Sequence, residues 1–395
     1  MKNYLLMGVV CMMPFGVLAN GFRLPDQDAA ATARGEAFAA TADNPSAIYY
    51  NPAGITQLEG WHARVGLYAI SFTTEFNGTA ETDGDWNLSP QLFAVYAPAE
   101  KPLAFGLGVY APYGLKLEWP ETTGFRSAAL AADLKYVTVN PVVAWRVSDR
   151  VSVAAGPTFN FSDLELRQGL SPFAGNDSFT VKGDGEAMGF NLGLRWEITE
   201  QFAFGAAYRS KTEVDFSGSS TFSAIVPPTA LTVPAKTELV FPQSVVGGLS
   251  WRPTPAWNFE VNVDWTDWNQ LNTVTIQQAV PVPPLALNWE SSLYYEFGVT
   301  RSLGEGWRVS AGYILNENSA PDAGFTPLVP DLKRQFVSLG VGCQGARFSF
   351  DVAYQYGFAQ SRTVTGSPVT VAGESGDGTY DFNNHAVSVS LGWAF

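Results

Sequence analysis

A strict alternation of side-chain character runs from Val181 to Phe216 and is broken only at residues 199–201. Before the break, one set of alternate positions is large and apolar: Met188, Phe190, Leu192, Leu194, Trp196 and Ile198. The positions between them are small, polar or charged: Ala187, Gly189, Asn191, Gly193, Arg195 and Glu197. Side chains of a β-strand change face at every residue, so this period of two indicates a strand and not a helix. Large apolar rows opposite rows that contain Arg and Glu predict a strand with lipid on one side and a polar lumen on the other.

The bulk composition fits a chain in which every second residue is apolar. Hydrophobic residues fill 46% of the 395 positions and charged residues only 15%, yet the mean hydropathy is +0.01. Continuous apolar helices would raise this value, so a helical membrane protein is excluded. The formal net charge of −14 argues against nucleic acid as a partner, because nucleic-acid interfaces need clustered Lys and Arg.

The N-terminus has the features of a secretory signal peptide, which we predict over residues 1–19. Lys2 precedes the short apolar stretch 4–10, and Ala19 provides a small residue at the cleavage site. The apolar stretch is too short for a retained helical anchor. We therefore expect export to the periplasm followed by insertion into the bacterial outer membrane.

After Gly60 the alternation predicts fourteen strands. They span residues 61–75, 87–97, 103–111, 134–147, 151–163, 181–198, 202–216, 238–252, 257–268, 289–302, 307–316, 334–343, 347–358 and 382–395. Short turns such as 148–150 alternate with long loops such as 112–133. This asymmetry is typical of outer-membrane barrels, and an even strand count returns both chain ends to the periplasm. The sequence predicts an all-β fold, a 14-stranded antiparallel transmembrane β-barrel over residues 61–395, with a large soluble all-β protein as the alternative.

The last strand ends in an aromatic residue, Phe395, on the same face as Trp393 and Leu391. Outer-membrane barrels share such a terminal aromatic residue at the end of an alternating strand. We therefore expect the barrel-assembly machinery to bind this strand. We also expect a monomer surrounded by outer-membrane lipid.

Residues 20–60 precede the first strand and lack the period of two. Asp26 or Asp28 is placed to cap a short helix through the Ala-rich stretch 29–40. The segment has too few charges for a disordered tail. A periplasmic extension is the alternative, but the apolar and small residues favour a partly helical plug inside the lumen.

Two sets of motifs stand out from this pattern. In the N-terminal segment they are Asn20–Pro25, Arg34-Gly35 and Asp43–Gly54. In the predicted barrel they are Ala111–Lys116, Asn140–Ala144, Asp264–Trp268 and Pro330-Asp331. Together they resemble the FadL/TodX family of outer-membrane transporters for long-chain fatty acids and other hydrophobic compounds, whose N-terminal segment forms a hatch. The chain is shorter than expected for the fatty-acid members, which leaves the identity of the ligand open.

The resemblance implies a transport route. In the family, an apolar ligand is captured among external loops, passes to a pocket above the hatch and leaves sideways near an inward kink in the third strand. The resemblance places Phe22 and Leu24 at the floor of that pocket, and Asn51-Pro52-Ala53 in the hatch near the wall opening. The alternatives are ordinary burial for the first pair and a plain turn for the second motif.

The candidate third strand is irregular in its own right. Residues 103–114 contain Gly106, Gly108 and Gly114 together with Pro112. Glycine inside a strand often marks a bulge, and proline cannot donate to the ladder. The sequence predicts a kink and lateral exit at these four residues. The alternative is that the glycines only make room for packed aromatic side chains and that Pro112 ends the strand.

Two further sets of residues are candidates for ligand contact. Apolar side chains in external loops predict hydrophobic capture, at Trp119, Phe125, Leu130, Phe222 and Ile225. Lumen-facing cations predict pairing with a ligand carboxylate, at Arg146, Arg195, Arg209 and Lys211. Packing of loops on each other is the alternative for the first set. Pairing with lumen acids is the alternative for the second, at Glu197, Glu213, Asp215 and Glu260.

Catalysis and metal binding have little support. The two histidines, His62 and His385, belong to the first and last strands, which adjoin at closure, but neither lies in a nucleophile motif. Signal cleavage would remove Cys11 and leave Cys343 as the sole cysteine, so we expect no disulfide, metal or cofactor.

These features together predict a non-enzymatic outer-membrane protein for passive uptake of hydrophobic small molecules, such as long-chain fatty acids or related lipids. Uptake of monoaromatic hydrocarbons by the same route and a general porin are the alternatives. A barrel hydrolase has the least support.

Overall fold

The computed structural model describes residues 21–395 apart from 172–174, 176, 226–227 and 372. The predicted signal peptide and its cleavage site lie outside the described residues. Fourteen antiparallel strands form one closed barrel, which confirms the predicted fold class. They are β1 (Gly60–Phe76), β2 (Asn87–Ala97), β3 (Leu103–Glu118), β4 (Ala131–Ser148), β5 (Val151–Gln168), β6 (Ser178–Glu197), β7 (Phe202–Arg209 and Thr212–Ile225), β8 (Pro228–Phe241 and Ser244–Thr254), β9 (Trp257–Thr266), β10 (Ser292–Gly304), β11 (Trp307–Asn316), β12 (Arg334–Gln344), β13 (Phe348–Ala359) and β14 (Gly378–Ala394).

The barrel closes between the last strand and the first. Strands β14 and β1 pair without a break from His62↔Ala394 to Phe76↔Tyr380. An open sheet edge would leave backbone N–H and C=O groups unpaired in lipid, so closure is what allows this sheet to span a membrane.

The outward face of the barrel is apolar and the lumen face is polar. On β6, Met188 and Trp196 are 68% and 46% exposed, whereas Asn191 and Arg195 on the other face are buried. The alternation in the sequence predicts this arrangement. It surrounds the barrel with an apolar band that suits the lipid core.

Helical structure in the described part of the chain is limited to short helices of three to six residues. The α-helices are α1 (Ala29–Thr32) and α2 (Ala47–Tyr50), and 3-10 helices span Pro52–Gln57, Trp268–Gln270 and Asp322–Gly324. No helix in the described part of the chain is long and apolar enough to cross a membrane. Loops add the short strands Ala80–Glu81, Thr273–Val274, Gln277–Gln278, Leu285–Ala286, Arg362–Val364, Thr370–Val371 and Glu374–Ser375.

The Ala-rich stretch forms a shorter helix than the sequence predicts. Asp28 caps α1, because its carboxylate accepts a hydrogen bond from a backbone N–H of the first turn at 3.0 Å. The helix ends at Thr32 and does not continue to Ala40. Gly35 and Glu36 have φ values of 59° and 61°, a left-handed backbone that an α-helix cannot continue through.

Residues 21–59, which we call the hatch, lie inside the barrel. Glycines of β7, β10, β11 and β12 face this segment, at Gly205, Gly298, Gly312 and Gly340. A Cβ atom at any of these positions would overlap the hatch between Ala33 and Ala39. The hatch backbone therefore packs directly on one side of the wall and leaves no room there for a side chain.

Candidate functional site

Strand β3 contains a bulge at Ala111 and Pro112. Its register with β4 shifts between Tyr110 and Tyr113, so two residues of β3 stand opposite one residue of β4. A bulge bends a strand and moves the following side chains to the opposite face. Tyr113 is accordingly buried in the lumen, although Ala111 two residues earlier is only half-buried.

Beyond the bulge, β3 no longer pairs with β2. The β2–β3 ladder runs only from Tyr96↔Phe105 to Leu92↔Val109. Residues 87–91 of β2 pair with β1 on one side and have no ladder partner in β3 on the other. We call this interruption of the wall the seam.

The beginning of the hatch takes the place of β2 along the bent part of β3. The N–H of Leu24 donates to the carbonyl of Pro112 at 2.8 Å, and the N–H of Gly114 donates to the carbonyl of Phe22 at 3.0 Å. Backbone groups of β3 that would otherwise be unpaired beside lipid are therefore satisfied. The structure thus brings the predicted gate residues Phe22 and Leu24 into direct contact with the predicted kink residues Pro112 and Gly114.

Gln27 completes this contact, and sequence reasoning did not single it out. Its side-chain amide donates to the carbonyl of Ala111 at 2.9 Å, and its amide oxygen accepts from the N–H of Ala111 at 3.2 Å. A single buried side chain thus supplies both ladder bonds that β2 would otherwise make to the bulge. No spacing or motif in the sequence signals this role.

Gly106 and Gly108 lie below the bend and serve a different purpose. Both pair regularly with β2 and β4. A Cβ atom at either position would lie 2.8 or 2.9 Å from the side chain of Ile48 in α2. These two glycines make room for the hatch, whereas the bend itself is at Ala111 and Pro112.

A narrow cavity of about 80 Å³ lies above the hatch and beside the seam. Its lining is mostly apolar and includes Leu24, Ile70, Phe72, Leu115, Val329, Phe336 and Phe382. Leu24 packs against Gly114, where an added Cβ would lie 3.0 Å from the Leu24 Cδ1 atom. The hatch forms the floor of this cavity, and β3 forms part of its side.

The ring of Phe22 is held in a cluster of four aromatic rings. Its centroid lies 4.9 Å from that of Trp268, 5.8 Å from Phe241, 6.1 Å from Tyr113 and 6.2 Å from Trp289. The first three contacts have the edge-to-face geometry that aromatic pairs favour. Any movement of the hatch start must therefore withdraw this ring from its cluster.

Two polar side chains in the cavity retain unused hydrogen-bonding capacity. The guanidinium of Arg334 lies 4.4 Å from the centroid of the Phe382 ring and donates to the carbonyl of Pro330 at 2.9 Å. Its Nε has no partner among the described residues, and neither amide atom of the fully buried Asn384 has one. Buried polar atoms without partners are uncommon, so these groups are suited to an oxygen-bearing ligand. Sequence analysis did not single out either residue.

The Asn51-Pro52-Ala53 motif lies against β6, not at the seam. The side-chain amide of Asn51 donates to the carbonyls of Ala39 at 2.7 Å and Leu194 at 2.9 Å. Its oxygen accepts from the N–H of Ala53 at 3.2 Å, with Pro52 in the first turn of the 3-10 helix. The motif thus joins two parts of the hatch to the wall.

Ion pairs with low exposure also join the hatch to the wall. They are Arg23–Asp264, Arg34–Glu260 and Asp28–Arg64. In the first, both guanidinium Nη atoms donate to the carboxylate, at 2.9 and 2.6 Å. Removing one partner of such a pair would leave an uncompensated buried charge, so these contacts resist displacement of the hatch.

The four predicted carboxylate partners contact protein groups. Three donate to hatch carbonyls: Arg146, Arg195 and Arg209. Lys211 forms an exposed ion pair with Glu213 at 2.7 Å. None of the four lines the cavity above the hatch, whose cations are Arg334 and Arg23, the second of which is paired with Asp264.

The apolar loop residues pack mainly on each other. Trp119, Phe125 and Leu130 are 1%, 0% and 0% exposed beneath the external loops. Phe222 of β7 contacts the ring of Phe179 on the paired strand β6, and the side chain of Ile225 lies outside the described part of the structure. In this conformation the first three form the core of the loops and offer no open surface for capture.

The two histidines are far apart. Along the paired strands β1 and β14, His62 stands opposite Ala394 and His385 stands opposite Ser71. The separation is 71 − 62 = 9 residues, or about 30 Å at the usual rise of a strand, so they cannot act together. Within the described ranges, no group of three or more His, Cys, Asp or Glu side chains is placed to hold a metal ion.

Comparison with known proteins agrees with this architecture. The family model described as outer membrane protein transport protein (OMPP1/FadL/TodX) matches residues 10–395. A long-chain fatty acid transport protein of Salmonella typhi is 22% identical over 371 residues, which cover 83% of this chain and 85% of that protein. Among solved structures, a Pseudomonas aeruginosa FadL homologue has a TM-score of 0.86 at 19% identity, covering 95% of this chain and 100% of that chain. The Ralstonia pickettii toluene transporter TbuX has a TM-score of 0.75 at 18% identity, covering 93% and 98%.

The family match includes both the hatch and the whole barrel. The solved structures share the fold at a level of identity that carries no information on the ligand. The chain belongs to the FadL/TodX family and is an outer-membrane transport protein for hydrophobic compounds, not an enzyme.

Proposed function

We propose that this protein takes up long-chain fatty acids or related lipids with an acidic head group. The observation that carries the proposal is the cavity above the hatch, where an apolar lining surrounds the unused polar groups of Arg334 and Asn384. The ligand enters among the external loops, rests above the hatch and leaves sideways into the membrane at the seam.

The chemistry of the cavity favours a carboxylate over a plain hydrocarbon. A guanidinium group forms charge-assisted hydrogen bonds with a carboxylate, and the amide of Asn384 supplies a further donor. A hydrocarbon would leave the Arg334 and Asn384 groups desolvated without partners, at about 1–3 kcal/mol for each group. A site built around buried polar groups discriminates strongly against a ligand that cannot satisfy them.

Contacts of the hatch support a sideways route. Movement of the ligand straight down would have to separate the hatch from the wall glycines and break the buried ion pairs described above. At the seam, the contacts of Phe22 and Leu24 with β3 and the two hydrogen bonds of Gln27 to Ala111 separate the cavity from the unpaired edge of β2. The sideways route leaves the wall glycine contacts and the ion pairs of Arg34 and Asp28 in place, so it disrupts fewer interactions than the downward route.

The proposal is tested by uptake of radiolabelled oleate and toluene in cells that have this protein as their only such transporter. Arg334→Met removes the charge and keeps much of the side-chain volume, so we expect oleate uptake to fall about tenfold and toluene uptake to stay the same. Arg334→Lys should retain part of the oleate uptake. Lys211→Met is the matched control, because it removes a cation that does not line the cavity. Equal oleate uptake in the two Met variants would contradict the proposal.

Because the cavity is narrow, monoaromatic hydrocarbons are the second candidate for the transported ligand. A volume of about 80 Å³ and the aromatic cluster around Phe22 suit a single ring. Toluene uptake at or above the oleate rate, unchanged in Arg334→Met, would select this alternative.

The proposal extends to assembly. Phe395 is 80% exposed and follows the last residue of β14, where a partner in the periplasm can reach it. We expect the barrel-assembly machinery to recognise this strand and the inserted protein to be a monomer. Removal of Phe395 should lower the amount of folded protein in the outer membrane without changing uptake per folded molecule.

A further inference from the structure

A second and larger cavity lies on the opposite side of the hatch. It has a volume of about 500 Å³ and opens between the hatch and the periplasmic ends of β8 to β14 and β1. It shares no lining residue with the cavity above the hatch. Part of its lining is apolar and includes the hatch residues Phe38 and Leu58. We call this cavity the periplasmic vestibule.

The charged lining of the periplasmic vestibule is predominantly basic, although the chain has a net charge of −14. Its arginines are Arg34, Arg64, Arg252, Arg308 and Arg347. Asp43 is the one acid among its described lining residues. Three further acids lie behind the lining: Glu260 pairs with Arg34, Asp28 pairs with Arg64, and Asp351 is shared by Arg64 and Arg308. The basic groups therefore exceed the acids that face them in the cavity.

Three of the arginines have free hydrogen-bonding capacity. Arg34 is 4% exposed, its Nε has no partner among the described residues, and its Nη2 lies 3.4 Å from Glu260. Arg252 lies 4.0 Å from Asp43, beyond hydrogen-bonding distance. Arg347 is exposed and makes no side-chain hydrogen bond or ion pair in the described part of the chain.

The charges around Arg34 favour binding of an anion in this cavity. Burial lowers the pKa of the Arg34 guanidinium, and repulsion from Arg252 and Arg308 lowers it further, while Glu260 and Asp43 raise it. Like charges held in one cavity disfavour each other's charged form. An anion placed between them would relieve this repulsion and satisfy the free donor of Arg34.

We propose that the periplasmic vestibule is a binding site for an amphiphilic anion. Its carboxylate or phosphate group contacts Arg34, Arg252 and Arg347. Its apolar part packs on Phe38 and Leu58. A fatty acid and a phosphate-bearing lipid present the same chemistry to these groups. The inference goes beyond the proposed uptake function, because it concerns a different cavity that does not depend on the cargo above the hatch.

The test is calorimetric binding to the full-length protein in a neutral maltoside detergent, with dodecanoate, dodecyl phosphate and inorganic phosphate as separate probes. All proteins carry Arg334→Met, so binding in the cavity above the hatch is weakened and is the same in every protein compared. Arg252→Gln with Arg347→Gln changes side chains that are at least partly exposed, so folding should be preserved. We expect this pair to weaken binding of at least one amphiphile about tenfold or more. The control pair, Lys101→Gln with Arg150→Gln, makes the same charge change on periplasmic turns outside the cavity and should leave binding unchanged.

The probes identify the source of the ligand. Tighter binding of dodecanoate supports a fatty acid, and tighter binding of dodecyl phosphate supports a phosphate-bearing lipid. Equal binding by the Arg252/Arg347 pair and the control pair would overturn the proposal. Inorganic phosphate binding as tightly as dodecyl phosphate would overturn it as well, because the apolar half would then contribute nothing. Either failure leaves the proposed uptake function intact, since that function is measured through Arg334 in the other cavity.

Discussion

The seam between β2 and β3 and the regular wall between β5 and β6 arise from the same alternating pattern, yet they differ in pairing. Strands β5 and β6 pair without a break over Val151–Gln168, whereas the β2–β3 ladder ends at Val109. The bulge at Ala111 and Pro112 turns β3 inward, and the hatch then supplies its hydrogen bonds. The opening is therefore not a missing strand but an exchange of one pairing partner for another.

This comparison shows how a barrel wall can be interrupted next to lipid. Unpaired backbone groups cost several kcal/mol each in a membrane, so both edges of an opening must be dealt with. The β3 edge is paired by the hatch. On the β2 edge, Pro90 has no N–H to leave unpaired, and the side chain of Gln91 donates to the carbonyl of Ser89 at 2.8 Å. The opening and the position of the hatch start are consequently linked, and this link can be tested.

The largest effect is expected from filling the space between the hatch and β3. In Gly114→Leu, the new Cβ would lie 3.0 Å from Leu24 Cδ1, and the rest of the side chain would extend toward the path from cavity to seam. We expect oleate uptake to fall about tenfold or more. The protein should still assemble, which heat-dependent migration on a denaturing gel would show.

The same substitution on the regular wall provides the control. Gly247 of β8 lies on the lipid side, between the exposed residues Val245 and Leu249, and nothing stands within 4 Å of an added Cβ. Gly247→Leu should therefore leave uptake unchanged. If both leucine variants transported oleate equally well, a route through the seam would be untenable.

The regular wall could be predicted from the sequence almost completely, and the reason is physical. Each strand has lipid on one side and a polar lumen on the other, so its register is recorded in every second residue. All fourteen predicted strands are present, but their ends differ, and β7 and β8 are interrupted at residues 210–211 and 242–243. The external ends of β3, β4 and β6 extend beyond the prediction, because outside the lipid the alternation weakens while the hydrogen-bond ladder continues.

The seam could be predicted only in outline. Gly106 and Gly108 suggested a kink, yet they serve to admit Ile48, because a missing side chain in the sequence does not reveal what fills the space. Arg334 and Asn384 meet in one cavity only through the pairing of β12, β13 and β14. The proximity of these two side chains depends on the closed barrel, so no local motif in the sequence predicts it.

A smaller effect is expected from removing the hydrogen bonds between the Gln27 side chain and Ala111 of β3. Gln27→Leu would leave the N–H and C=O of Ala111 without partners, at about 1–3 kcal/mol for each group. We expect faster hydrogen exchange at residues 110–114 and uptake reduced severalfold. Gln57→Leu is the control, since Gln57 donates only to carbonyls within the hatch. Unchanged exchange at the bulge in Gln27→Leu would show that β3 holds its bend without the hatch.

Asn51→Ala should separate the hatch from the regular wall without touching the seam. It removes the donor to the carbonyls of Ala39 and Leu194. The free energy that holds the hatch on the wall should fall by about 1–3 kcal/mol. We expect a higher ion leak in planar-bilayer conductance, with hydrogen exchange at the bulge unaltered. Asn51→Asp keeps the acceptor for Ala53 N–H and serves as a partial control. Loss of uptake without any leak would instead support a direct gating role for this motif.

The smallest effect concerns protonation beside the hatch start. Burial raises the pKa of Glu36 well above its usual range, and the neighbouring Asp26 raises it further. The hydroxyl of Tyr50 lies 2.6 Å from the Glu36 carboxyl and accepts a hydrogen bond from the N–H of Gln27 at 2.9 Å. The protonation state of Glu36 therefore acts on the segment that pairs with β3.

The direction of this effect follows from linkage. A carboxyl whose pKa is higher in the folded state contributes stability that is complete below its unfolded pKa and is lost as the pH rises through its folded pKa. Protection of residues 22–27 against hydrogen exchange, corrected for the intrinsic pH dependence of exchange, should therefore be greatest in mild acid and decline as the pH rises. Glu36→Gln stays neutral throughout and should make this decline smaller, leaving the part due to Asp26, whose pKa burial also raises. A wild-type profile that rises with pH would mean that Glu36 is charged in the docked hatch, and the link between its protonation and the seam would then be wrong.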